Sequence, residues 1–309
     1  LRLISSVEDY RELSFILSYI YPEIPEAGQK KSYQLVEQVW EDVDQINFVR
    51  SRFKLAEEDF AAAEELLQTL SDDFLSQNEL FYLIAVDYLT LDKIAVAEKI
   101  LASKPDLENP ANFIGNYFLQ EAQYQQALDY LQKNIENSDS APEEYYLIAA
   151  LAAQKLDKPQ RSLQLLEAGL AHYPQSSTML NGLGYAIADM NLAEHFDEAE
   201  QYLLQALQME PESFMIWDSL AWLYYRQGRY QEALDILLEH CQEDLQDSAI
   251  AYHFAAVYLE LGSSEAARQY LIQTLILDND EESVQAAEDL LEEHFKINID
   301  ENQQSEAKE

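Results

Sequence analysis

The chain has 309 residues, 48% of them hydrophobic, with only 7 glycines and 8 prolines, a composition that fits helices joined by short turns. Asp and Glu number 58 against 19 Lys and Arg, a formal net charge of −39 that is spread along the chain and densest from Asp278 to Glu309. Such a surface repels phosphate and so disfavours nucleic acid and anionic membrane as partners, whereas a basic or apolar polypeptide is drawn to it. No apolar run reaches the roughly 18 residues that a membrane-spanning helix needs.

Taken in chain order, residues 1–27 contain "DYRELSFILSYIYPEIP", with Tyr10, Leu13, Leu17, Ile20 and Pro25 spaced as in the second helix of a two-helix unit. The first helix of that unit is missing and the sequence opens at Leu1 without an initiator Met, so the chain reads as a segment of a longer array. Residues 28–77 are helical in pattern but degenerate, with only Ala63, Leu67 and Leu70 in register. From 78 to 281 one unit recurs six times. Its clearest copy, "SFMIWDSLAWLYYRQGRYQEALDILLEHC", places Trp217, Leu220, Ala221 and Tyr224 on a first helix, Gly228 in the turn, and Ala233 and Leu237 on a second. Less faithful copies carry Phe81, Ile84, Ala85, Tyr88, Ala97 and Leu101; Ile114, Gly115, Phe118, Ala127 and Leu131; Tyr146, Ala149, Ala150, Leu166 and Pro174. Two more carry Leu180, Leu183, Gly184, Ala199, Leu203, Ala206 and Pro211, with about three residues inserted in the turn, and Phe254, Ala255, Tyr258, Gly262, Ala267 and Leu271. Residues 282–295 read as a capping helix and 296–309 as a disordered acidic tail.

This unit resembles the tetratricopeptide repeat, a helix-turn-helix of about 34 residues. The expected fold is all-α: a right-handed α-solenoid in which successive helix pairs stack and the first helices line a concave face.

Two first helices carry polar and aromatic residues at a stride of four, Asn181, Tyr185 and Asp189 in one and Asp218, Trp222 and Arg226 in the next. Residues four apart share one helix face, and these positions are offset from the packing positions, so the stripe faces the groove. Tyr225, Tyr252, Asn112 and Asn116 extend it. One reading is internal: Asp189 pairs with Arg226, Asn181 with Asp218, and Tyr185 stacks on Trp222. The other is a binding floor, in which aromatic faces supply contact area and the polar groups hydrogen-bond an extended peptide or a charged terminus. Both hold together if a locked network is also a preorganised one.

At a finer level, "NGLGYAIADMN" followed by a lengthened turn and "DSLAWLYYRQG" is similar to paired repeats of bacterial tetratricopeptide proteins, many of them periplasmic lipoproteins anchored to the outer membrane. The match runs through Asn181, Leu183, Gly184, Tyr185, Ala188 and Asp189, then Asp218, Ser219, Leu220, Trp222, Tyr225, Arg226 and Gly228, with Ala221 where Gly is usual. The resemblance implies a non-enzymatic adaptor in the periplasm or at the outer membrane whose partner is a cell-envelope protease or its substrate. The alternatives are a cytoplasmic protein, a self-associating homo-oligomer, and a regulatory repeat domain of a larger chain. Ile148 and Leu147 stand where a clamp for acidic peptide tails needs polar contacts, which argues against that subtype.

Catalytic constellations are not legible. His172, His195, His240, His253 and His294 show no metal-ligand spacing, and there is no phosphate loop or GxSxG, so neither metal nor cofactor is expected. His253 borders the inward face and is expected to be partly exposed. Cys241 follows His240 directly, but adjacent helical residues point about 100° apart, so they form no thiolate–imidazole pair and the cysteine reads as a small buried residue.

Overall fold

The computed structural model describes residues 41–71, 74, 78–103, 109–242 and 246–296. The expected partial repeat at 1–27 and all but the first residue of the expected tail lie outside these. No strand occurs among the described residues.

The chain divides into two compact units, residues 1–123 and 124–309. In the first, α1 (Val43–Ala56) and α2 (Phe60–Gln68) form one hairpin, α3 (Asn78–Thr90) and α4 (Ile94–Ala102) a second, and α5 (Pro110–Gln120) packs on α4. The second unit begins with α6 (Tyr124–Glu136), which packs on α7 (Glu143–Lys155). The hairpin of α7 and α8 (Pro159–His172) is followed by α9 (Ser177–Asp189) with α10 (Phe196–Met209) and by α11 (Phe214–Arg226) with α12 (Tyr230–His240). The pair α13 (Ser248–Glu260) and α14 (Ser264–Leu277) precedes the single helix α15 (Glu281–Phe295). The first helices touch in series, α7 on α9, α9 on α11, α11 on α13, and α15 on α13 in the place that a further first helix would take.

Local chemistry sets the helix ends. Ser176, Asp247 and Asp280 accept hydrogen bonds from the N–H groups of Met179, Ala249 and Ser283 and so satisfy donors that have no intrahelical acceptor. Seven turns between consecutive helices bring one residue each into the left-handed region, at Glu58, Asp92, Ala122, Asp157, Asn191, Gly228 and Gly262, about 34 residues apart. Only at the last two does glycine remove the steric penalty, and a Cβ there would meet nothing within 4 Å, so the requirement is conformational. The hairpin of α1 and α2, whose sequence departs furthest from the repeat, makes the same turn at Glu58.

Just beyond each turn a small residue is sealed between helices: Ala63, Ala97, Ala127, Ser162, Ala199, Ala233 and Ala267 are all fully buried. Its distance from the turn is constant except before Ala199, where the 3₁₀ turn Ala193–His195 takes up the inserted residues. Gly184 serves the same close approach: a Cβ on it would lie 2.4 Å from Leu203 Cγ, so α9 and α10 can meet only without a side chain there. Polar ties join successive hairpins, with Ser176 Oγ donating to Glu143 at 2.6 Å and Ser248 Oγ to Asn279 Oδ1 at 2.8 Å.

Candidate functional site in the groove of the second unit

The first helices of the second unit border a groove of about 720 Å³. Of the residues expected there, Tyr185 and Asp189 on α9, Trp222 and Arg226 on α11, and Tyr252 on α13 line it. Asn181, Asp218 and Tyr225 share those helices without lining it, and Asn112 and Asn116 belong to the first unit. The opposite wall comes from elements that sequence spacing did not connect to the stripe: Lys155 at the end of α7, Asp157 in the following turn, and Asp280, Glu282 and Ser283 at the start of α15. Lys155 and Glu282 form an ion pair across 127 residues of sequence. Both are partly exposed, so the pair contributes no more than about 1 kcal/mol.

The side-chain pairing differs from the expected one. Asp218, 7% exposed, is held by His253 rather than by Asn181: His253 Nδ1 lies 2.8 Å and 3.0 Å from its two carboxylate oxygens, and His253 itself is 3% exposed. Being buried, His253 also corrects the expectation of a partly exposed histidine. Arg226 is engaged by the backbone of Asp189 and not by its carboxylate. Its Nη2 donates to the Asp189 carbonyl at 3.2 Å, one of the last carbonyls of α9, where a cation complements the helix dipole. Trp222 stacks on Tyr225, with centroids 4.7 Å apart, and on His253 at 4.1 Å; no ring contact with Tyr185 forms. The Arg226 guanidinium lies over the same indole at 4.6 Å.

The indole is therefore a hub of the floor, 4% exposed. Its Nε1–H and the Arg226 Nε–H are buried donors without an acceptor, and Asn181 Oδ1 is an acceptor without a donor. Buried polar groups in folded proteins almost always find partners, so orphans bordering a groove point to a group supplied from outside.

Burial, followed by the proximity of Glu282, raises the Asp189 carboxyl above its unperturbed 3.8 against the smaller opposing pull of Arg226, His253 and Lys155, and no ion pair or hydrogen bond to that carboxylate forms among the described residues. Tyr185 is raised well above 10 by burial and then by Asp189, Asp218, Asp280 and Glu282; Tyr225 is pushed up to about 12, mainly by burial. Both phenols are neutral across the physiological range. A carboxyl with a raised folded pKa binds its proton more tightly in the folded state, so stability falls as pH rises from the unperturbed value through the raised one. Asp189→Asn is accordingly expected to raise the urea midpoint at pH 7, with the gain vanishing as the pH is lowered through the Asp189 titration. A lower midpoint for the asparagine variant at pH 7 would mean that the carboxylate has a stabilising partner after all.

A family model described as Tetratricopeptide repeat matches residues 193–249, which span α10, α11 and α12. With the hairpin stacking above, this identifies the repeat. Residues 193–249 carry tetratricopeptide repeats. Each unit is built from helix-turn-helix repeats of the α-solenoid kind, an architecture that serves as a protein-interaction scaffold. A TPR repeat-containing protein of Pseudomonas aeruginosa is 32% identical over 108 residues, which cover 35% of this chain and 18% of that relative. Among solved structures, the APC/C hetero-tetramer Cut9-Hcn1 contains a chain similar over 78% of this one and 48% of its own length, with TM-score 0.49 and 15% identity. MamA from Desulfovibrio magneticus is similar over 55% of this chain and 94% of its own, with TM-score 0.42 and 13% identity.

Among the described residues no group of three or more His, Cys, Asp and Glu could hold a metal ion, and no helix is long and apolar enough to cross a membrane. Cys241 is buried. The carboxylates on the far wall are the site residues that sequence reasoning missed, together with the pairing of His253 to Asp218. For His253 a signal existed: it lies 35 residues after Asp218, one repeat further on, beside the inward-facing Tyr252.

Proposed function

We propose that this tetratricopeptide array is a non-enzymatic adaptor that holds a polypeptide in the groove between α9, α11, α13 and the start of α15. The observation that carries this reading is the pair of buried donors without acceptors, Trp222 Nε1–H and Arg226 Nε–H, on side chains that line the groove. Peptide carbonyls are the acceptors a polypeptide would bring, and Tyr185 and Tyr252 offer apolar faces with polar tips on either side. The resemblance of residues 181–228 to envelope tetratricopeptide proteins extends the proposal to a bacterial envelope location, with a protease or its substrate as the partner.

Capture from a bacterial lysate with the wild-type chain and with Tyr185→Ala/Tyr252→Ala tests the groove. Proteins retained by the wild type are expected to be depleted about tenfold or more by the double variant, with the helical circular dichroism unchanged, as befits anchors worth about 1 kcal/mol or more together. Identical sets of retained proteins would move the interaction away from this groove.

A further inference from the structure

The charge balance of the groove specifies its occupant more narrowly. Four carboxylates line it, Asp157, Asp189, Asp280 and Glu282, against two cations, Lys155 and Arg226. Both cations are already engaged, Lys155 by Glu282 and Arg226 by the Asp189 carbonyl and the Trp222 ring. Asp280 is committed through Oδ2 to capping α15. The Asp189 carboxylate has neither an ion pair nor a hydrogen bond among the described residues, although it is partly buried beside Tyr185. A partly buried carboxylate next to aromatic rings is a receptor for a cation. A metal ion does not fit, since no set of three or more ligating side chains converges among the described residues. The orphan donors supply the independent second indication: Trp222 is more than nine-tenths buried and its Nε1–H lacks an acceptor, as does the buried Nε–H of the half-buried Arg226. These groups need carbonyl oxygens. A helical ligand has already satisfied its own carbonyls internally, whereas an extended chain has not.

We propose that the groove binds an extended basic polypeptide segment, with a lysine or arginine head against the Asp189 carboxylate and backbone carbonyls accepting from Trp222 Nε1–H and Arg226 Nε–H. The proposal rests on the reading of the groove as a polypeptide site and adds the charge and conformation of the occupant. It also accounts for the unpaired state of Asp189: the ligand supplies the counter-charge. The net charge of −39 draws a basic chain towards the protein as a whole, and the groove gives the attraction one address.

The test uses the full chain and three fluorescent peptides of equal length in which alanine alternates with lysine, glutamine or glutamate, with binding read by anisotropy. The lysine peptide is expected to bind about tenfold or more tightly than the glutamine peptide and the glutamate peptide weakest of all. Asp189→Asn is expected to reduce lysine-peptide affinity to about the level of the glutamine peptide, while the exposed pair Asp197→Asn/Glu239→Gln, on the second helices α10 and α12, leaves it within about twofold. Because Asp189→Asn is expected to stabilise the fold, unfolding would not mimic this loss, and a urea melt checks it. Equal binding of lysine and glutamine peptides, abolished by Tyr185→Ala/Tyr252→Ala, would overturn the basic ligand and leave the polypeptide groove standing. Lysine-peptide binding that ignores Asp189→Asn would overturn the proposal in favour of diffuse attraction to the acidic surface. Absence of binding by all three peptides would overturn both readings.

Discussion

Asp87→Ala is expected to cost about 3–5 kcal/mol of folding stability, measured as a shift of the urea unfolding transition at constant slope. Arg52 on α1 and Asp87 on α3 form a bidentate pair inside the first unit, Nε to Oδ2 at 2.5 Å and Nη2 to Oδ1 at 2.6 Å, with the arginine 1% exposed. They tie the first helices of two successive hairpins. Burial nonetheless raises the Asp87 carboxyl above its usual value, outweighing the neighbouring guanidinium. The pair is thus held by geometry against a large desolvation cost. Removing the carboxylate takes the bidentate partner from a buried guanidinium, and that is the source of the loss. Replacing both partners, Arg52→Met with Asp87→Leu, removes the desolvation cost along with the attraction and is expected to recover most of the stability. A double variant as unstable as the single one would show that the pair is needed for more than charge balance.

The repeat was legible in the sequence because its determinants are local. Ala233 and Leu237 after Gly228 specify a close hairpin, and a small residue recurs at that place in each copy, alanine from Ala97 to Ala267 except at Ser162. The left-handed turns at Asp92, Ala122, Asp157 and Asn191 were less legible, since hydrogen bonding of the helix end, not glycine, selects that conformation there. In the groove, a stride of four was enough to place Tyr185, Asp189, Trp222, Arg226 and Tyr252 on its wall. It was not enough to pair them. Which side chain meets which depends on the axial offset between neighbouring first helices, and that offset sets His253 against Asp218 and Arg226 against the end of α9. The far wall was out of reach for the same reason on a larger scale: Lys155 and Glu282 meet only once several repeats have been stacked with their actual curvature.

This pairing changes what Trp222 can report. Trp222→Ala is expected to cost about 3–5 kcal/mol, the range for truncating a large buried aromatic, read from urea unfolding. The indole is covered by Tyr225, His253 and Arg226, so its loss opens a cavity between α11 and α13 and removes the surface on which the Asp218–His253 pair is packed. Weakened binding by that variant would therefore not separate a lost contact from a collapsed floor. Trp222→Phe does separate them. It keeps an aromatic ring at the hub, removes the orphan Nε1–H, and is expected to cost clearly less, because eliminating an unsatisfied buried donor offsets part of the packing lost with the smaller ring. If a ligand carbonyl accepts from Nε1–H, lysine-peptide affinity falls by about tenfold in Trp222→Phe although the fold is retained, in line with a hydrogen bond worth about 1 kcal/mol or somewhat more. If affinity is unchanged while stability follows the expected order of wild type, phenylalanine and alanine, the indole is internal scaffolding and recognition falls to Asp189, Tyr185 and Tyr252.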